Sequence, residues 1–258
     1  MSDTYSILSQ TQRLRVSDRE TLPVFSGCES ANRLLILIWS QLGDFDSLEY
    51  ALVIQRELAQ LEAQGITIRA IGIGDRESGQ KFCEYTGFSS EWLFVDPKAE
   101  IHQELELYRG LSVKVPLLSA GQNAWLNLML MCAGIGSPGT LGEVFRGYKG
   151  DRQAPQLFED QDVIQNTPLP TMKGSFFKFA GGKGFQRPFE LATLRLQNMT
   201  EVLSNWQTYV PNPAYLTQRG ATFLFDSEGK LFYEHRDRAI LGFAENMSCP
   251  LSFLADLG

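Results

Sequence analysis

The chain has 258 residues, 43% of them hydrophobic and 21% charged, which is the make-up of an ordinary soluble globular protein. Its formal net charge is −7. Nucleic-acid backbones are held by basic stripes, and none is visible here, so a nucleic-acid partner is excluded and anionic lipid headgroups are repelled on average.

The segment Met1-Ser2-Asp3-Thr4-Tyr5 has neither a basic nor an apolar leader region, which predicts a chain kept in the cytoplasm or a stroma-like compartment. No run reaches the roughly 20 apolar residues that a membrane span requires. Cys28, Cys83, Cys132 and Cys249 are scattered without CxxC or zinc spacing, which predicts reduced thiols. One domain, residues 1–258, with a long insertion over residues 109–215, is the expected organisation.

Residues 1–33 read as polar and irregular and end in a turn, Ser26-Gly27-Cys28-Glu29-Ser30-Ala31-Asn32-Arg33. Leu34-Leu35-Ile36-Leu37-Ile38-Trp39 follows without alternation, the pattern of a strand buried on both faces of a parallel sheet. Ser40-Gln41-Leu42-Gly43-Asp44-Phe45 then leads to a helix over residues 47–63, with Asp46 and Glu49 spaced as a capping box and Gly65 just past its end. A strand delivering a turn to a helix start is where open α/β sheets place chemistry.

Residues 66–74 predict a second parallel strand, and residues 78–86 a helix closed by Gly87. Trp92-Leu93-Phe94-Val95 reads as a short strand, with Asp96-Pro97 as cap and first residue of another helix reaching about residue 107. Far downstream, Ala221-Thr222-Phe223-Leu224-Phe225 and Lys230-Leu231-Phe232-Tyr233-Glu234 flank Asp226-Ser227-Glu228-Gly229 and predict an antiparallel hairpin. Parallel strands first and a hairpin last describe an α/β mixed sheet with helices on both faces, the layout of the thioredoxin fold.

Within the insertion, residues 124–133 are apolar almost all round, which predicts burial. Phe189, Ala192, Leu196, Met199, Leu203 and Trp206 recur at steps of three and four, predicting an amphipathic helix begun by Pro188. Exposed methionine and aromatic patches suit adaptable binding, so Trp125, Leu126, Met129, Met131, Phe189 and Trp206 form a candidate interface for a protein partner. The apolar stretch near Trp125 is long enough to lie along a membrane surface but too short to cross one.

At this point the chain resembles a peroxiredoxin-like protein of the AhpC/TSA type, across residues 12–108 and 215–243. The resemblance is carried by the 34–39 strand, by Val95-Asp96-Pro97, and by Arg219-Gly220-Ala221-Thr222-Phe223-Leu224-Phe225-Asp226. Gly147-Tyr148-Lys149-Gly150-Asp151-Arg152 is similar to the elaborated branch found in cyanobacteria and plastids, which implies a setting near photosynthetic membranes. In the active family a cysteine at the start of the first helix attacks peroxide, its thiolate favoured by the helix terminus and a nearby arginine. Matching that motif puts Asp44 and Ser47 at the two positions of a CxxC-like version and Arg219 at the arginine, and no cysteine occurs between Cys28 and Cys83.

An oxygen side chain cannot be oxidised to a sulfenic acid and recycled, so the resemblance implies no catalytic residue at this site. Trp39, Asp44, Ser47 and Arg219 are then a vestigial pocket, with an Asp44–Arg219 ion pair or an arginine open to an anion. The expected function is a redox-inactive binding or assembly factor; the alternative is a thiol peroxidase or oxidoreductase using a displaced cysteine such as Cys83, which otherwise reads as an inert core residue. Gly134-Ile135-Gly136-Ser137-Pro138-Gly139 and Ala180-Gly181-Gly182-Lys183-Gly184 lack the context of nucleotide loops and read as turns. His102, expected on a solvated helix face, and His235, expected after the hairpin, stand alone, so neither a metal nor a cofactor is expected.

Overall fold

The computed structural model describes residues 3–166 and 169–257. Met1 and Ser2, the first residues of the segment expected to lack a leader, lie outside them. The chain opens with helix α1 (Asp3–Gln10), strand β1 (Gln12–Arg15) and strand β2 (Thr21–Pro23). It continues through β3 (Arg33–Gln41), α2 (Phe45–Arg56), α3 (Leu58–Ala63), β4 (Ile66–Ile73), α4 (Arg76–Thr86), β5 (Leu93–Val95) and α5 (Glu100–Glu104). The insertion carries α6 (Ala120–Cys132), α7 (Thr140–Lys149), β6 (Val163–Asn166), β7 (Leu169–Lys173), α8 (Glu190–Ser204) and α9 (Trp206–Tyr209); the β8 (Ala221–Asp226) and β9 (Leu231–Arg236) hairpin follows, then a short 3-10 helix at Ser252–Leu257.

Seven strands form one mixed sheet in the order β2-β1-β5-β4-β3-β8-β9, and β6 and β7 form a separate pair. β3 runs parallel to β4 and antiparallel to β8, so the most apolar strand is central. Its side chains alternate between two cores. Leu35, Leu37 and Trp39 join one beneath α2, α3 and α4; Leu34, Ile36 and Ile38 join another beneath α1 and α5. Each such aliphatic side chain contributes about 2 kcal/mol on burial, which is why this strand is apolar without alternation. The fold is therefore α/β and thioredoxin-like, a mixed sheet with helices on both faces and a long, mainly helical insertion.

Several local expectations shift. Residues 3–23 are not irregular: β1 and β2 pair, and β1 adds antiparallel to β5. β2 is the sheet's edge and β1 lies beside it with Arg13 and Arg15, and both strands are short, so their polarity hid them. Helix α2 begins earlier than its pattern suggests, because Asp44 caps it by accepting from Asp46 N at 3.1 Å. Asp46 and Glu49 form no capping box; both turn inward to bury against arginines. The expected single helix breaks at Glu57 into α2 and α3. α4 ends as expected on Gly87, whose φ of 74° is left-handed and suits a residue without Cβ.

Asp96 does not cap a helix at Pro97: its Oδ2 accepts from Ile101 N at 2.8 Å, and α5 is only a short turn beginning at Glu100. His102 is fully buried, not solvated, with Nε2 2.9 Å from the carbonyl of Trp39. His235 lies within β9, not beyond it, and its Nε2 meets the carbonyl of Gly242 at 2.8 Å. Helix α6, expected to be sunk, buries only Asn127 and Met131. α8 turns Leu191, Asn198 and Val202 inward and leaves Phe189, Met199 and Leu203 exposed, so the apolar stripe is not its buried face. Phe189 is in the left-handed region at the helix start, and Pro188 precedes the helix.

Candidate functional site

The site grows from the end of β3. The register with β4 slips between Trp39 and Gln41, a bulge that re-aims the chain as it leaves the sheet. From there Asp44 starts α2, while the segment before β8 delivers Arg219. Gly220 lets that segment lie against β3, since a Cβ there would sit 2.1 Å from the carbonyl oxygen of Ile38.

Arg219 is wholly buried and its donors are engaged. Nη2 pairs with Asp44 Oδ2 and also donates to the Leu216 carbonyl at 3.3 Å. Nη1 donates to Asp46 Oδ2 at 3.2 Å, and Nε to the carbonyl of Thr217 at 3.2 Å. Asp46 also accepts from Leu241 N at 2.8 and 2.9 Å. Burial works to lower the Arg219 pKa, but Asp44 and Asp46 outweigh it and raise it.

More negative charge gathers here than one guanidinium neutralises. Burial, then Asp44, pushes Asp46 well above the ordinary carboxylate range. Asp237 accepts from Gly220 N at 3.2 Å through Oδ2, and burial carries its carboxyl up to about 7. Its Oδ1 has no hydrogen bond and stands 3.5 Å from His235 Nε2. Both shifts favour the protonated, uncharged carboxyl, the direction that relieves the excess.

The residues of the expected pocket divide. Asp44 and Arg219 meet. Ser47 Oγ instead lies 3.1 Å from Ser40 Oγ, within α2's buried face. The Trp39 indole packs against Phe82 and Phe88, at 5.0 and 4.8 Å between ring centres. None of the four lines either cavity of about 310 or 710 Å³ found elsewhere on the surface. An arginine open to an anion is not what the structure holds.

Of the candidate interface, Trp125 and Trp206 stack at 4.8 Å, with Met129 exposed and Leu126 half-buried on α6. Met131 is wholly buried against Ile240 and Leu241, because that side of α6 faces the end of β9. Phe189 sits at the other end of α8, edge-on to Tyr148 at 6.2 Å between ring centres.

Two participants had no signal in the sequence. Asp237 became part of the site only when β9 returned beside Gly220. Cys132, at the end of α6, lies within electrostatic reach of Asp44, Arg219 and Asp46; burial, then Asp44, raises its thiol. Cys83 is half-buried against the core, and burial pushes it up to about 12. Among the described residues no group of three or more His, Cys, Asp or Glu is placed to hold a metal ion, and no helix is long and apolar enough to cross a membrane.

A mixed sheet with a capped helix start facing a buried arginine defines a thioredoxin-fold protein of the peroxiredoxin-like class. The AhpC/TSA antioxidant enzyme family matches residues 53–239, and the chain belongs to that family. The match begins inside α2, beyond Asp44 and Ser47. Two solved structures from Xanthomonas campestris are similar. A cysteine-to-serine mutant of peroxiredoxin Q is 11% identical, with 98% of this chain and 92% of that one covered and a TM-score of 0.44. Bacterioferritin comigratory protein is 9% identical, with 98% and 96% covered and a TM-score of 0.45. No curated protein matches the chain.

Proposed function

We propose that this chain is a redox-inactive peroxiredoxin-like protein that serves as a protein-binding or assembly factor. The observation that carries this reading is the clamp on Arg219. Where the family reaction needs a thiolate beside a guanidinium free to meet peroxide, two carboxylates occupy the guanidinium, and the resemblance sets Asp44 and Ser47 where the thiol would stand. The exposed apolar surface of α6 and α8, including Trp125, Met129 and Leu203, supports a partner-binding role. A setting beside photosynthetic membranes, with peripheral contact only, is supported by the resemblance of residues 147–152 to the cyanobacterial and plastid branch.

A second reading, a thiol peroxidase using another cysteine, is favoured by family membership and by Cys132, which lies within electrostatic reach of Arg219. One experiment separates them: hydroperoxide consumption with a thiol reductant, run beside alkylation mapping with and without peroxide. The binding-factor reading expects no turnover and no cysteine protected by peroxide. Turnover abolished by Cys132→Ser or Cys83→Ser would establish the enzyme instead.

A further inference from the structure

Between α5 and α6 the chain is pinned to α6 at every second residue. Val113 N donates to Asn127 Oδ1 at 2.9 Å, and its carbonyl accepts from Asn127 Nδ2 at 2.9 Å. Val115 N donates to Asn123 Oδ1 at 2.8 Å, and its carbonyl accepts from Asn123 Nδ2 at 3.3 Å. Leu111 is held likewise, N–H to Met131 Sδ at 3.4 Å and carbonyl to Thr217 Oγ1 at 3.3 Å.

A pairing period of two belongs to extended chain, in which alternate residues turn their N–H and C=O to opposite sides. Ser112 and Lys114, between the pinned residues, are exposed, and their backbone groups have no hydrogen-bond partner among the described residues. The segment is thus a short strand edge with one side satisfied and the other open.

A groove of about 710 Å³ runs alongside, walled by this segment, the start of α6 and residues 214–218. Its wall includes Arg109 and Lys114 and no aspartate or glutamate. Neither cation's side chain makes a hydrogen bond or ion pair among the described residues. In a chain of net charge −7, an acid-free groove with two unengaged cations stands apart from the average surface.

We infer that this edge docks an extended, acidic peptide segment of a partner protein by strand addition, its main chain pairing with Ser112 and Lys114 and its carboxylates meeting Arg109 and Lys114. The inference rests on the binding-factor reading and names its partner's chemistry. A second copy of this chain is a poor occupant, since two bodies of the same negative sign repel.

The test uses the full chain and a fluorescein-labelled peptide of about ten residues alternating Glu and Val, followed by anisotropy. Saturable binding is expected, weakened roughly tenfold or more by the double variant Arg109→Glu/Lys114→Glu, by N-methylation of alternate peptide residues, and by a Lys-for-Glu peptide. Both substituted residues are exposed, so the fold is retained, which circular dichroism checks. No saturable binding, undiminished affinity for the N-methylated peptide, or binding only to anionic vesicles overturns the inference. A partner captured from the native source equally well by the double variant refutes the groove alone and leaves the accessory role standing. Peroxide turnover refutes the accessory role while the peptide titration still judges the groove.

Discussion

Arg195 on α8 grips Glu49 on α2 with two hydrogen bonds, Nε to Oε2 at 2.7 Å and Nη2 to Oε1 at 2.9 Å. The pair joins the insertion to the thioredoxin-like part of the chain across 146 residues of sequence. Arg195 also reaches Glu143 on α7 at 2.6 Å, and Glu143 is shared with Arg146. Three helices are thus tied by a nearly buried charge network, with Glu49 and Arg195 side chains only 5% and 12% exposed.

Removing one partner of such a pair strands the other in low dielectric. Arg195→Met is expected to cost about 3 kcal/mol, more than an exposed pair is worth. Urea unfolding measures it. A loss below about 0.5 kcal/mol would mean that the pair is solvated and does not hold α8 to α2.

Arg219→Met should be worse near neutral pH than in acid. The substitution leaves Asp44, Asp46 and Asp237 around a site with no counter-charge, a penalty on the order of 3–5 kcal/mol. Asp46 and Asp237 take up protons more readily than ordinary carboxyls, and protonating them removes charge that needed neutralising. The stability gap between variant and parent therefore narrows from pH 8 to pH 5, and a gap that widens instead would contradict the clamp.

Asp237 sets a pH dependence with a definite sign. Its folded pKa, near 7, lies above the ordinary carboxylate value of 3.8, so the folded protein holds the proton more tightly than the unfolded chain. Its contribution is full below about pH 4 and is lost as pH rises toward 7, amounting to a few kcal/mol at most. Asp46 is displaced the same way. Asp237→Asn imitates the protonated acid and should flatten the decline in urea midpoint between pH 5 and pH 8; an unchanged slope would place the titration elsewhere.

Cys83 should resist alkylation. With its thiol near 12, the thiolate fraction at pH 7 is about 10⁻⁵, roughly three orders of magnitude below that of a free cysteine. Iodoacetamide labelling resolved by peptide mass mapping should find Cys83 among the slowest sites in the folded protein. Rapid labelling there would revive the displaced-thiol enzyme.

Gly220→Ala tests how tightly Arg219 is delivered. The added methyl meets the backbone of Ile38, which cannot rotate away, so β8 must separate from β3. A loss of at least about 2 kcal/mol is expected in urea unfolding. A neutral effect would show that the two strands have slack.

Sequence alone determined the elements whose signals are local. An unbroken apolar run marked β3 and a largely apolar one β4, Gly87 marked the end of α4, and Asp226-Ser227-Glu228-Gly229 marked the β8–β9 turn, because strand period, left-handed caps and turn chemistry are written within a few residues. Only the tertiary structure decided which polar groups would be buried and with whom. Asp46 meets Leu241 N, Glu49 meets Arg195, His102 meets the carbonyl of Trp39, and Asp237 meets Gly220 N. The phase of α8 was settled the same way: its inward side follows the groove offered by α2 and α7, not its own stripe of apolar residues. The physical reason is range: a helix or turn is stabilised by neighbours three or four residues away, whereas a buried charge finds its partner only after the chain has closed around it.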